Sequence, residues 1–133
     1  MNQQQRKNSQ LLLTLNFQDG TIMLNEGILE ALGRPRQVQI LLNEEAKRLL
    51  IRPCGVNSRQ AVLMTTDSVV MAEIGGRNLL KKIRKLAGWA TEQPRICTGE
   101  CIPDYQAVYF DLAEAIVVNP GSAEKGAGVN QTI

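Results

Sequence analysis

The chain of 133 residues contains no histidine. That excludes a Ser-His-Asp or Cys-His nucleophile and any metal site that needs an imidazole. Aromatic residues make up only 4%, which argues against the stacking platforms that hold bases or sugars. A core must instead be built from Leu, Ile, Val and Ala. Cysteine is scarce and odd in number: Cys54, Cys97 and Cys101. Such a set reads as reduced thiols of a cytoplasmic protein, not as a disulfide framework. Cys97 and Cys101 lack the further ligands that a zinc site needs, so two buried thiols are the simpler expectation. No apolar run approaches the roughly 18 residues of a membrane span. The polar start MNQQQRKNSQ, followed only by Leu11 to Leu13, has no secretory signal core. No phosphate-cradling G-x-x-x-x-G-K-[ST] or G-x-G-x-x-G loop is present. Glu44-Glu45 falls in a turn, and Glu100, Asp104, Asp111 and Glu114 have no visible base or metal partner. No cofactor, no metal and no enzymatic activity are therefore expected.

What remains is the balance of a soluble globular protein: 44% apolar residues, 21% charged and a net charge of +2. Residues 1–10 read as a flexible arm with Arg6 and Lys7, and 119–133 as a flexible tail rich in Gly and polar residues. Between them, Leu11, Leu13, Leu15 and Phe17 alternate as a strand. Asp19-Gly20 signals a hairpin turn, with Thr21 to Leu24 returning. Asn25 fits an N-cap, and Ile28, Leu29 and Leu32 form one helical stripe that Gly33 and Pro35 end. Val38 to Leu42 and Arg48 to Arg52 form a hairpin around Asn43–Lys47.

After a linker at 55–66, anchored by Val62, Leu63 and Met64, the order recurs. Asp67 to Ile74 is strand-like, and Gly75-Gly76 a turn. Asn78 to Ala87 is helical, with Gly88 as its stop. Arg95 to Ile102 and Ala107 to Leu112 make a second hairpin through Pro103–Gln106. Ile28–Gly33 matches Ile83–Gly88 at a spacing of 55 residues. We read two strand–helix–hairpin repeats, 11–54 and 67–118. Short strands in one such unit cannot bury a core alone, whereas interleaving two closes a barrel and removes open edges. The alternative is a single α+β domain in which the order coincides.

The residues Gly20-Thr21-Ile22-Met23-Leu24, Ile28-Leu29-Glu30-Ala31-Leu32-Gly33, Val38-Gln39-Ile40 and Leu49-Leu50-Ile51-Arg52-Pro53 carry a resemblance. Over Gly20 to Pro53 the chain resembles the AbrB/SpoVT-type swapped-hairpin DNA-binding family, and two such units in one chain are similar to the MraZ arrangement. The resemblance implies a mixed α/β, mainly β fold, with both repeats interleaved into a swapped-hairpin barrel. It implies a non-enzymatic DNA-binding protein, a transcriptional regulator, acting as a monomer with an internal pseudo-twofold or as a homodimer. The chain departs from the family where Asn25 replaces a Pro, Glu26 and Glu30 replace helix cations, and Arg34-Pro35-Arg36-Gln37 replaces Pro-Gly-Asp. The family's DNA-facing charges therefore do not transfer to the first helix.

The second helix offers charges of its own. Arg77, Lys81, Lys82, Arg84 and Lys85 fall within nine positions with no acid among them. Like charges at i,i+4 repel by a few tenths of a kcal/mol per pair, and a polyanion relieves that repulsion. With Arg34 and Arg36 these residues form the expected DNA-binding set. Two competing expectations stand beside it: pairing of the basic helix with Glu26 and Glu30, and simple solvation. The alternative function is a protein-interaction module, antitoxin-like or from a mobile element or phage, that uses the barrel as a scaffold. Gly76-Arg77 could bind an anion at the helix start, but a turn is the simpler reading. Trp89 is expected to cap the barrel end.

Overall fold

The computed structural model describes residues 10–55, 61–63 and 71–118. The expected arm, apart from Gln10, and the expected tail lie outside these residues. The fold is mainly β. Its elements in order are β1 (Leu12–Asn16), β2 (Thr21–Asn25), α1 (Glu26–Ala31), β3 (Gln37–Asn43), β4 (Arg48–Pro53), β5 (Ala61–Leu63), β6 (Met71–Gly75), α2 (Arg77–Ala87), β7 (Arg95–Ile102), β8 (Ala107–Asp111) and β9 (Ile116–Val117). Eight antiparallel strands follow one another as β5-β3-β4-β8-β7-β1-β2-β6, and β9 pairs β7 off this path. The sheet curls as a half-barrel around one apolar core.

Period-2 alternation sets the inner face. Leu13 and Leu15, Ile22 and Leu24, Val38 and Ile40, Leu49 and Ile51, Ala72 and Ile74, and Val108 and Phe110 all point into the core. Each buried Leu, Ile, Val or Phe contributes roughly 1.5–3 kcal/mol against leaving it in water. Every strand of β1–β4 also bonds a strand that follows residue 60. β1 pairs β7 with Leu13 opposite Cys97, and β2 pairs β6 with Met23 opposite Glu73. β3 pairs β5, and β4 pairs β8 with Leu50 opposite Tyr109. The core is one cluster drawn from both parts of the chain.

The helices close over this sheet. Asn25 caps α1 as its side chain predicts, with Oδ1 accepting from the N–H of Ile28 at 3.1 Å. The same oxygen accepts from Leu12 N–H at 3.1 Å, and Nδ2 donates to Gln10 O at 2.8 Å, so the cap also ties α1 to β1. Ile28 and Leu29 of α1 are fully buried, and the helix packs against β1, β2, β6 and β8. Trp89 is half-buried and meets the Phe17 ring edge-on at 6.1 Å. Phe17 is part of the core and Trp89 packs against it.

Four expectations need correction. The linker expected at 55–66 contains strand β5, which bonds the edge of β3 through Gln37↔Leu63 and Gln39↔Ala61. Three residues are too few for period-2 alternation to stand out in sequence. Gly75 is the last residue of β6 rather than a turn, while 64–70, including the start of the expected strand, lies outside the described residues. The last hairpin strand stops at Asp111, where Oδ1 accepts from Ala113 N–H at 3.0 Å and opens a 3-10 turn over Leu112–Glu114. Finally, Cys97 is buried but Cys101 is exposed, although Cys101 pairs with the buried Val108.

Candidate nucleic-acid interface

α2 forms where apolar residues recur at helical spacing. Leu80 and Ile83 are buried, and Leu79, Leu86 and Ala87 pack beside them. The helix ends at Gly88, which adopts φ 77° and donates to Arg84 O and Lys85 O. Trp89 N–H then donates to Arg84 O at 3.1 Å, completing a Schellman turn. One more terminal carbonyl is satisfied from outside the helix: Lys47 Nζ, in the β3–β4 turn, donates to Leu86 O at 3.2 Å.

This scaffold divides the five cations. Lys81, Lys82 and Lys85 are exposed, and among the described residues they make no ion pair. Arg77 is also exposed and lies over the β1–β2 turn. Its contacts to the carbonyls of Gln18 and Asp19, at 3.5 and 3.4 Å, are long for hydrogen bonds. Arg84 is different. Its guanidinium donates to Trp89 O at 3.1 Å, Ala90 O at 2.9 Å and Glu92 Oε2 at 3.2 Å. It clamps the chain that leaves the helix, a structural task that its place in the basic run did not reveal.

The two arginines after α1 also part company. Arg34 lies 3.6 Å from both Glu26 and Glu30, so the acids of α1 meet a cation of their own helix end. Among the described residues no ion pair joins α1 to α2. The sequence expectation that the acidic and basic helices neutralise each other therefore finds no support in this arrangement. Arg36 is exposed ahead of β3 and makes no hydrogen bond or ion pair with α2 among the described residues.

Two hollows flank α2. A small one beside Arg77, Lys81 and Arg84 encloses about 140 Å³. A larger groove of about 940 Å³ runs between β3 and α2, with Ile40, Leu42, Leu79 and Leu86 in its wall and Lys82 and Lys85 at its rim. Among the described residues no three His, Cys, Asp or Glu side chains could together hold a metal ion, and no helix is long and apolar enough to cross a membrane. Burial pushes the Cys97 thiol up to about 11, against a small opposing pull from Arg95, which makes it a poor nucleophile. The Tyr109 hydroxyl donates to Glu100 Oε1 at 2.9 Å, and that bond, with the Glu100 charge, raises the phenol's pKa. Comparison of the chain with protein-family models, with curated proteins and with solved structures found no match.

Proposed function

We propose that the protein is a non-enzymatic, cytoplasmic DNA-binding protein and transcriptional regulator, built as two interleaved swapped-hairpin repeats of AbrB type within one chain. The observation that carries the DNA reading is the exposed face of Lys81, Lys82 and Lys85, extended by Arg77, on a helix with no acid. Lysines on a rigid helix act as point charges for phosphates. They hold a duplex in place without reading its sequence.

Strand pairing supports the repeat reading. Exchanging β1–β4 for β5–β8 turns β1–β7 into β5–β3 and β3–β4 into β7–β8, and leaves β2–β6 and β4–β8 unchanged, while β1–β2 has no β5–β6 counterpart among the described residues. The hairpin turns agree, because Lys47 and Gln106 both adopt left-handed backbone, at φ 55° and 50°. Each reaches the end of the other repeat's helix. Lys47 Nζ bonds Leu86 O, and Gln106 Nε2 lies 3.1 Å from where a Cβ on Gly33 would sit. The pairs Met23↔Glu73 and Leu50↔Tyr109 fit a pseudo-twofold axis. On that axis the helices correspond at their starts, and α2 carries extra turns. The sequence spacing of 55 instead aligned their glycine ends.

The test is charge reversal on the free lysines. K81E/K82E/K85E is expected to lose retention on mixed DNA fragments while melting at the wild-type temperature. Arg84 is left out of this set because its replacement would loosen the turn after α2. Unchanged retention by a folded triple variant would reject the site. A protein-interaction module is the second reading, favoured by one feature: the leucine-lined groove beside α2.

A further inference from the structure

Phosphate binding leaves the groove between β3 and α2 unexplained. At about 940 Å³ it is far larger than one side chain, and it lies in the upper range for ligand clefts. Ile40 and Leu42, on the core-facing parity of β3, form one wall and Leu79 and Leu86 the other. Leu42, Leu79 and Leu86 are only half-buried. A DNA backbone offers nothing apolar to cover them. Lys82 and Lys85 stand on the α2 rim without an ion-pair partner among the described residues.

We infer that this groove docks an acidic amphipathic segment of a partner protein. Its apolar side chains would seat on Leu42, Leu79 and Leu86, and its carboxylates on Lys82 and Lys85. The charge pattern selects this occupant. The α2 rim is wholly basic, and Glu44 stands at the β3 side of the rim, so the segment's carboxylates fall along α2. Docking of this kind uses apolar anchors at i, i+3 or i+4, and i+7. A segment held there covers Lys82 and Lys85, so it competes with DNA. That competition, though not the docking itself, rests on the DNA-binding reading.

The experiment uses the full chain and two fluorescent peptides of equal negative charge. One carries Leu at helical anchor spacing and Glu elsewhere; in the other, Ser replaces Leu. Anisotropy is expected to show the Leu peptide binding at least tenfold more tightly. Leu42→Gln is expected to weaken that binding about tenfold and leave DNA retention unchanged, whereas Lys82→Glu weakens both. Equal binding of the two peptides would overturn the inference and mark the lysines as a general polyanion face. Failure of the Leu peptide to bind, as when the groove is filled by the chain's own residues, would also overturn it. Peptide binding with no DNA retention would reject the DNA reading alone, and DNA retention with no peptide binding would reject the docking alone.

Discussion

A single methyl group at Gly99 has nowhere to go. Its Cβ would run into the Phe110 ring and the Val108 side chain across the β7–β8 pair. Overpacking of this kind costs about 1–3 kcal/mol, so Gly99→Ala is expected to lower the urea midpoint by a corresponding amount. A glycine inside a strand hints at close approach, but the sequence does not say which ring approaches. The cysteines show a similar limit. Both Cys97 and Cys101 lie on one parity of β7, yet one is buried and the other exposed, a difference that strand parity does not predict. Cys101 is expected to react first with a thiol reagent, and Cys97 only once the chain unfolds. The buried thiol also ties stability to pH. Between the ordinary thiol value and about 11, the unfolded chain has lost a proton that the folded chain keeps. Fewer protons on the unfolded side mean stability falls as pH rises through that window. Denaturant midpoints at pH 8 and 10.5 should differ, and Cys97→Ala should shrink the difference.

Within α2 the free cations and the clamping one are chemically alike but differ in their surroundings. Replacing Lys81, Lys82 or Lys85 by Ala is expected to change stability by less than about 0.5 kcal/mol. Arg84→Ala removes bonds to two carbonyls and to Glu92. Hydrogen bonds from a charged group are individually worth about 1.5–3 kcal/mol, less where water competes. Arg84 is 33% exposed, so a loss of about 1–2 kcal/mol is expected, read as a drop in melting temperature. The run of cations in α2 was legible from the sequence, as were its apolar stripe and glycine stop. The division of labour was not, because the carbonyls that hold Arg84 come from irregular chain after the helix. α1 was legible to its cap, since Asn25 sits where a strand ends and a helical stripe begins. β5 was not, because its pairing depends on a distant strand edge rather than on local pattern.

At the scale of the whole molecule, every strand of β1–β4 finds a neighbour beyond residue 60, and one core serves both parts of the chain. Unfolding should therefore be a single cooperative event. Trp89 fluorescence and far-UV circular dichroism are expected to trace one coincident denaturant transition, and two separated transitions would contradict that. With a net charge of only +2, the proposed attraction to DNA would have to come from local clustering, not from the overall field. This gives the most direct measurement of the central claim, the logarithm of DNA affinity against the logarithm of salt concentration. Three or four phosphates neutralised by Lys81, Lys82, Lys85 and Arg77 predict a slope of about −2.7 to −3.6, reduced in the triple charge-reversal variant. A flat response, or the same slope with and without the lysines, would contradict the account.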